Sequence, residues 1–162
     1  MQEIFDVLDQ LDIKYTLHEH EAVFTVDDVI EKGCIYPGIN VKNLLVKDKK
    51  SGRLYFVILE DGRRLDFKGF REWTGWGSRM TFAGDDDLMT YLNVTPGSCS
   101  LLGLVFDREH ALTVVLCREI AEADDDELIN FHPNVNTVTV SLKVGDVRRF
   151  IDHLGNEVIC EI

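Results

Sequence analysis

The chain has 162 residues, which is enough for one domain with a sizeable core and too few for two ordinary domains. Hydrophobic residues make up 45% and charged residues 28%, as in a typical globular protein, and no apolar run approaches the roughly 20 residues that cross a bilayer. The net charge of −12 argues against a protein that coats nucleic acid non-specifically, because that mode of binding needs a basic surface.

Helical signals dominate the first third of the chain. Apolar residues at helical spacing predict a helix over residues 2–11, and an extended segment follows at 14–18. Thr25 is predicted to begin a helix of about two turns through a capping box, in which Asp28 stands where Glu is usual.

A hairpin is predicted next. Apolar strands over 41–47 and 54–59 flank a Lys-Lys-Ser-Gly turn. Asp66 is a good N-cap for the helix that follows. Three consecutive acids open a further predicted helix over 85–92, where they suit the positive end of the helix dipole.

The second half of the chain is rich in strands. Strands are predicted over 102–106, 112–116, 137–142 and 156–161, with a helix over 146–154. Helices mingle with hairpin-connected strands and do not alternate regularly with them, which predicts an α+β fold with a mixed, strongly curled sheet. Because no linker or internal repeat is visible, we expect residues 1–162 to form a single domain.

Two chemical motifs have weak support from the residues alone. His18-Glu19-His20-Glu21 offers two histidines that share a face if the segment is a strand, but a closed metal site needs further ligands that nothing marks, so an exposed polar loop is the preferred interpretation. Cys99 is a candidate nucleophile if His110 or His132 approaches it in space, although no nucleophile signature surrounds it.

Three other positions are each compatible with a binding site or with an ordinary structural role. Lys42 begins an apolar strand and either points its ammonium group into a cleft or is solvated at the strand end. The loop 95–100 contains Gly97 and either offers backbone N–H groups to a developing oxyanion or simply connects two elements. His132 precedes a proline and is either a polar wall of a site or a structural histidine.

Positive charge is concentrated between positions 42 and 71. Nine Lys and Arg residues stand there against four acidic residues, in a chain that is otherwise acidic. The stretch is either a solvated charged hairpin or a local phosphate-binding face.

Five segments in order along the chain resemble the YbaK/prolyl-tRNA-synthetase-associated editing domain family, and within it the free-standing prolyl-tRNA editing members. These segments are 20–25, 38–44, 95–100, 106–107 and 131–137. They span nearly the whole chain, and their order is more specific than any one of them alone.

The resemblance implies an α+β fold with a central mixed, barrel-like sheet and flanking helices. It implies a hydrolase that deacylates mischarged tRNA in trans, most simply Ala-tRNA(Pro), and so maintains translation fidelity without a metal or organic cofactor. The expected partners are the 3′ aminoacyl end of tRNA and prolyl-tRNA synthetase, with neither DNA nor membrane. The N-terminus lacks the pattern of a secretory signal, so we expect a cytoplasmic protein.

The resemblance also implies roles for individual residues. Lys42 matches the lysine expected to hold the phosphate or ribose of the tRNA 3′ end, Gly97 the loop glycine that lines the pocket, and His132 the family's His-Pro position. The catalytic set that it implies is Lys42, Asn43, Gly97 and His132, and the substrate-binding set is Thr25, Ser98, Ser100, Leu101 and Asp107.

Leu101 departs from the family pattern. The loop is usually Gly-x-x-x-Pro, and Leu101 occupies the position of the proline. Two alternatives follow from this departure: a deacylase for another small aminoacyl-tRNA, carrying Cys or Ser, or a non-catalytic module that binds tRNA or a synthetase.

Overall fold

A mixed eight-stranded sheet forms the centre of this computed structural model, which describes residues 1–75 and 79–161 without the side chains of Val26 and Trp73. The strands are β1 (Thr16–Glu19), β2 (Ile39–Asp48), β3 (Leu54–Glu60), β4 (Met80–Phe82), β5 (Leu112–Leu116), β6 (Leu128–Phe131), β7 (Val138–Lys143) and β8 (Val158–Cys160). The helices are α1 (Gln2–Gln10), α2 (Val26–Glu31), α3 (Phe67–Thr74), α4 (Asp85–Leu92), α5 (Arg118–Ala121) and α6 (Val144–Leu154), with a 3₁₀ helix at Leu101–Phe106.

Strand β2 joins the two halves of the sheet. The strand order is β1-β7-β6-β2-β3-β5-β8, and β4 pairs with the end of β2. Strand β2 runs parallel to β6 and antiparallel to β3, so the sheet is mixed. The predicted α+β class, with a central mixed sheet flanked by helices, is confirmed.

Strand β3 is buried on both faces. Its residues from Leu54 to Leu59 are all at most 5% exposed, and Phe56 and Ile58 are completely buried. A strand can be apolar at every position only when layers cover both sides of the sheet. The centre of the sheet is therefore enclosed, and polar side chains at its surface need internal partners.

Two helix caps and a hairpin predicted in the first half of the chain are confirmed. The Thr25 hydroxyl accepts the Asp28 N–H at 3.1 Å, and the Asp28 carboxylate accepts the Thr25 N–H, so the predicted capping box is confirmed. The Asp66 carboxylate accepts the Lys68 N–H and caps α3. The predicted hairpin of β2 and β3 is also confirmed.

The strand predicted over residues 102–106 is wrong, because this segment is a 3₁₀ helix. The Ser100 hydroxyl accepts the Leu102 N–H and the Ser100 carbonyl accepts the Gly103 N–H, which starts the helical turn. Leu101, Leu102 and Leu104 are at most 1% exposed. A short apolar run that is buried on all sides has no periodicity that separates strand from helix. The short elements β4, α5 and β6 were also missed.

Gly38 fixes where β2 begins beside β6. Its φ is +111°, and a Cβ there would lie 2.4 Å from the Leu128 carbonyl oxygen. Only glycine allows this close backbone approach. None of the helices in the described part of the chain is both long and apolar enough to cross a membrane.

We predict that Gly38→Ala lowers the free energy of unfolding by more than the roughly 1–2 kcal/mol of left-handed strain alone, because the new methyl group also overlaps Leu128 backbone. Gly33→Ala is the matched control, since Gly33 has φ +64° and open space around its Cβ position. Urea denaturation measures both variants. Equal losses would show that the contact with Leu128 is unimportant.

Candidate functional site

Polar side chains cover one face of β1, β7, β6 and the beginning of β2. We call this surface the polar face, and it consists of His18, His20, Asn40, Asn130, His132, Thr139 and Ser141. Asn130, Thr139 and Ser141 are at most 6% exposed. Buried polar groups at these positions would be costly in a sheet that served only as core, so the face has the character of a site.

Asn130 is the centre of a hydrogen-bond network on the polar face. Its amide nitrogen donates to the Asn40 side-chain oxygen at 3.0 Å and to the backbone carbonyls of Tyr36 and Pro37 at 3.3 and 3.2 Å. Its amide oxygen accepts the Ser141 hydroxyl proton at 2.5 Å. Both ends of the amide are therefore satisfied, and the turn before β2 is fixed to β6 and β7.

The same network assigns the tautomer of His18. Because Ser141 donates its only proton to Asn130, its oxygen must accept from His18 Nε2 at 3.1 Å. The His18 ring also stacks on Tyr36, with ring centroids 3.9 Å apart. His18 and Tyr36 thus form a stacked aromatic pair at the edge of the polar face.

His132 is neutral near pH 7. Burial lowers the pKa of His132, the hydrogen bond to the Val138 carbonyl raises it, and nearby His20 lowers it again. His132 Nδ1 donates to Val138 at 2.9 Å, so the Nε2 lone pair remains as an acceptor. The rings of His132 and His20 meet edge to face at 5.9 Å.

Lys42 lies on the same side of β2 as Asn40, two residues further along the strand. In the parallel register of β2 and β6, Asn40 is opposite Asn130, and Lys42 and His132 each follow two residues later in their segments. Lys42 is half-buried, and its ammonium group has no partner among residues 1–75 and 79–161. A half-buried cation without a counter-ion, in a chain of net charge −12, favours an anionic ligand.

Asn43 points to the opposite face of the sheet from Lys42. Its side-chain oxygen accepts the Leu101 N–H at 3.2 Å, which ties the loop after α4 to β2. Proline has no N–H and could not make this bond, so Leu101 supplies an anchor that a proline there would lack. The Leu101 side chain itself is completely buried in the core.

The 3₁₀ helix also contacts the loop that follows His132. A Cβ on Gly103 would lie 2.6 Å from the Asn134 side-chain oxygen, so these two segments touch. Asn134 adopts φ +59° and donates to the Leu92 carbonyl at 2.8 Å. The loop before the 3₁₀ helix and the loop after His132 are thus packed together, although no contact in the described residues joins Lys42 to either loop.

Gly97 is at the exposed tip of the loop that connects α4 with the 3₁₀ helix. Its φ is +86°, and a Cβ there would meet open space. The Ser98 N–H bonds weakly to the Thr95 carbonyl at 3.3 Å, whereas the N–H groups of Gly97 and Cys99 have no partner in the described part of the chain. These two amides can serve as donors to a ligand oxygen.

The other candidate substrate-binding side chains are engaged within the protein. The Thr25 and Ser100 hydroxyls cap helices, and Asp107 is 4% exposed. Asp107 accepts from the Ala111 and Leu112 N–H groups and from the Asn156 side chain, all at 2.8–2.9 Å. The geometry gives Asp107 a structural function at the start of β5.

Cys99 is not a poised nucleophile. Burial raises the pKa of its thiol to about 12, so the thiolate is scarce near pH 7. The sequence predicted His18 and His20 in an exposed polar loop, and this prediction is wrong. His18 lies on β1 and His20 directly follows it. Among the described residues, no group of three or more His, Cys, Asp and Glu is arranged to hold a metal ion.

The basic stretch is partly neutralised by acids from other segments. Lys47 pairs with Asp87, Arg53 with Glu157, and Arg63 with both Glu119 and Glu161. Within the described residues, the basic side chains of the stretch that keep no partner are Lys42, Lys49, Lys50, Arg64, Lys68 and Arg71.

A cleft of about 450 Å³ opens beside the polar face and is acidic. Its lining includes Asn40, Glu60, Asp61 and Glu127. Phosphate groups are repelled from such a surface. An anionic ligand that reaches Lys42 should therefore arrive from the side of α3 rather than from this cleft.

The sequence did not identify Asn40, Asn130, Thr139 and Ser141 as members of the site. These residues are polar positions within otherwise apolar strands, and three of them alternate along β6 and β7 on one face. The alternation of Thr139 and Ser141 along β7 could have indicated a polar face. Asn130 could not be added to it from the sequence, because β6 was not predicted as a strand.

The family model of the aminoacyl-tRNA editing domain matches residues 20–150. The prolyl-tRNA editing protein ProX of Acetoanaerobium sticklandii is 30% identical over 155 residues, which cover 96% of this chain and 92% of the relative. Prolyl-tRNA synthetase associated domain-containing protein 1 of Danio rerio is 30% identical over 93% of this chain and 80% of the relative. A solved structure described as a candidate trans-editing enzyme for prolyl tRNA synthetase has a TM-score of 0.68 at 14% identity, covering 98% of this chain and 94% of that one.

We predict that His132 titrates below about pH 6.5 and is the Nδ1–H tautomer when neutral, because burial disfavours its charged form. Nitrogen-detected NMR titration measures both properties. The lowered folded pKa also means that stability is complete above about pH 6.5 and is lost as pH falls through the folded pKa. His132→Gln should remove this part of the pH dependence. A midpoint at or above 6.5 would contradict the assignment.

Proposed function

The chain belongs to the aminoacyl-tRNA editing domain family, and from that premise we propose that it deacylates mischarged tRNA in trans, with Ala-tRNA(Pro) as its substrate. Its activity is that of an aminoacyl-tRNA deacylase, a hydrolase that maintains translation fidelity. The single observation that carries the assignment of the site is Lys42, which has no partner among residues 1–75 and 79–161 and lies on the same side of the sheet as His132, whose pKa is lowered by burial.

The reaction needs positioning more than a strong nucleophile. Water attacks the ester carbonyl carbon, the bond to the ribose oxygen breaks, and that oxygen takes up a proton while the amino acid leaves. The ester is already activated, so the protein must hold the substrate and stabilise the negative carbonyl oxygen of the intermediate. We propose that this occurs without a metal or an organic cofactor.

Lys42 binds the phosphate or the ribose next to the ester in this proposal. Lys42 is half-buried, and its ammonium group has no competing carboxylate among the described residues. The acidic cleft beside the polar face repels phosphate, which leaves Lys42 as the point of attraction for an anion. Binding of the phosphate or ribose by Lys42 would hold the tRNA end at a defined distance from the polar face.

His132 orients the attacking water or a ribose hydroxyl. Its Nδ1 proton is committed to Val138, so the Nε2 lone pair can accept a hydrogen bond. A neutral imidazole also avoids repulsion of a substrate-bound cation. The buried site supports this state because burial lowers the pKa of His132.

The loop around Gly97 supplies donors to the carbonyl oxygen. The Gly97 and Cys99 amides, which have no partner among the described residues, support this role, and Asn43 acts indirectly by holding the loop through Leu101. Ser98 is half-buried in the same loop and remains a candidate contact to the aminoacyl group. Thr25, Ser100, Leu101 and Asp107 remain candidate substrate-binding residues from the sequence, and their internal contacts favour an indirect effect on pocket shape.

The rest of the tRNA contacts the unpaired part of the basic stretch. Phosphate binding there depends on few cations, which suits a transient complex and a modest salt dependence. We further propose that residues 1–162 act as one editing domain in the cytoplasm and that prolyl-tRNA synthetase is its natural source of mischarged tRNA. Neither DNA nor a membrane is part of this proposal.

We predict that Lys42→Ala reduces kcat/KM for Ala-tRNA(Pro) roughly 100-fold, since the substrate end is no longer positioned. Lys42→Arg should retain more activity because it keeps a cation. Lys14→Ala is the matched control, since it removes one exposed lysine that lies outside the basic stretch. Release of radiolabelled alanine measures the rates. Full activity of Lys42→Ala would refute the assigned role.

Substrate choice is tested with tRNA(Pro) charged with Ala, Ser, Cys or Pro, and with Ala-tRNA(Ala). We expect Ala-tRNA(Pro) to be fastest and the prolyl ester slowest, because a small pocket excludes the proline ring by steric clash. A single methylene changes the free energy of substrate discrimination by only about 1–3 kcal/mol. The rates of deacylation of Ser-tRNA(Pro) and Cys-tRNA(Pro) should therefore be reduced but not abolished. Binding without release from every charged tRNA would establish a non-catalytic module instead.

A further inference from the structure

The buried amide network of the polar face has a fixed direction. The backbone carbonyls of Tyr36 and Pro37 can only accept hydrogen bonds, so the Asn130 amide must turn its NH2 group toward them, at 3.3 and 3.2 Å. The same NH2 group lies 3.0 Å from the Asn40 side chain, which must therefore present its carbonyl oxygen to Asn130. The orientation of the Asn40 amide is thus determined by atoms that have only one hydrogen-bonding role.

The other end of the Asn40 amide is a donor without an acceptor. Its oxygen is used by Asn130, and its Nδ2 group bonds to no residue in the ranges 1–75 and 79–161. Asn40 is half-buried, and an amide donor in such a place loses part of its hydration without gaining a partner. A fixed and unused donor of this kind is suited to a ligand oxygen, since its orientation needs no rearrangement on binding.

The surroundings of Asn40 favour an uncharged oxygen as its ligand. Asn40 lines the acidic cleft together with Glu60, Asp61 and Glu127, and those carboxylates repel an anion. An amide NH2 group has no net charge and binds a carbonyl or hydroxyl oxygen well. The cation of the site is Lys42, so a phosphate and an uncharged oxygen of the same ligand are assigned to different residues.

Asn40 and Lys42 are placed for two parts of one nucleotide. They lie on the same side of β2, two residues apart, which separates their Cα atoms by roughly 7 Å. A phosphate at Lys42 therefore leaves the ribose of the same nucleotide, and the acyl group attached to that ribose, within reach of Asn40. Gly38 and Asn130 hold the beginning of β2 against β6, so this spacing is part of the fold itself.

We propose that Asn40 is a substrate-binding residue whose Nδ2 group donates to an uncharged oxygen of the aminoacyl-ribose, and that Asn130 is the positioning residue that orients it. The inference rests on the proposed deacylase function. The oxygen is either the ester carbonyl oxygen or the free ribose hydroxyl, which are neighbours on one ribose and can both accept. Asn130 prevents the Asn40 amide from turning over and presenting an oxygen where a donor is needed.

The first test removes the donor. Asn40→Ala leaves the Asn130 amide with two backbone carbonyls as acceptors, so the network around Asn130 is retained. We expect Asn40→Ala to lower kcat/KM for Ala-tRNA(Pro) roughly 10-fold, as for one lost hydrogen bond, and Asn40→Asp to lower it further, since a carboxylate cannot donate. Val41→Thr is the matched control and should change neither kcat nor KM, because Val41 is also half-buried but points to the opposite face of β2. An Asn40→Ala variant as active as wild type would overturn the proposal.

The second test identifies the oxygen. The probe is 3′-alanylamino-3′-deoxyadenosine 5′-monophosphate, a stable amide analogue of the substrate end, and isothermal titration calorimetry measures its affinity for wild-type and Asn40→Ala protein. One further analogue lacks the ribose 2′-hydroxyl, and another lacks the alanyl group. We expect removal of the group that carries the bound oxygen to cost about 10-fold more affinity with wild type than with Asn40→Ala. A merely structural role of Asn40 would give each analogue the same loss with both proteins, and that result would refute the contact.

A measurement on the wild-type chain applies even if the variants at position 40 fail to fold. In NMR spectra of the free protein, the side-chain amide hydrogens of Asn130 should exchange slowly with water and those of Asn40 rapidly. Saturation with the amide analogue should slow the exchange at Asn40 and shift its side-chain resonances. Unchanged Asn40 signals at saturation would overturn the contact.

The outcomes separate this inference from the proposed function. Absence of deacylation by wild-type protein would overturn the function itself. Normal deacylation by wild type, without coupling between Asn40 and either oxygen, would overturn only the assignment of Asn40.

Discussion

Because successive residues of a β-strand point to opposite faces, β2 sends Asn40 and Lys42 to one side of the sheet and Asn43 to the other. Asn40 joins the polar network, Lys42 has no partner in the described part of the chain, and Asn43 anchors the loop that begins the 3₁₀ helix. Strand β2 also lies between β6 and β3, so both halves of the sheet take their position from it. A shift of one residue in the register of β2 would move the side chains of Asn40, Lys42 and Asn43 to the opposite faces of the sheet.

The amide of Asn130 makes that register specific. It connects Asn40, the turn before β2 and Ser141, and all its hydrogen-bonding groups are used. In a buried environment, a network with every group satisfied stabilises one arrangement, because any slip leaves groups unpaired at a cost of about 1–3 kcal/mol each. Gly38 acts with it, since only a residue without Cβ fits against the Leu128 backbone. Together they fix the position of the beginning of β2 relative to β6.

The electrostatics of the site follow from burial and from the distribution of charge. His132 is kept neutral by burial, whereas the Cys99 thiol is kept protonated by the same cause, which leaves the first suited to accept a proton and the second inert. The net charge of −12 repels phosphate, and the cations near α3 that have no partner among the described residues are an exception. A protein can therefore bind the end of an RNA selectively while its net charge discourages non-specific binding.

The sequence by itself determined the local elements whose signals are contiguous. The capping box at Thr25, the cap at Asp66 and the hairpin of β2 and β3 were predicted, as were the α+β class and the family, because each depends on neighbouring residues or on ordered motifs. The tertiary structure decided what depends on separated segments. The hydrogen bond of Asn43, the network of Asn130 and the pairing of Arg63 join positions far apart in the chain. The 3₁₀ form of residues 101–106 is compatible with their burial on all sides, which leaves no periodicity in the sequence. Spacing along a sequence carries no information on which distant strand lies alongside, and that neighbour determines whether a polar residue is a solvated side chain or part of a site.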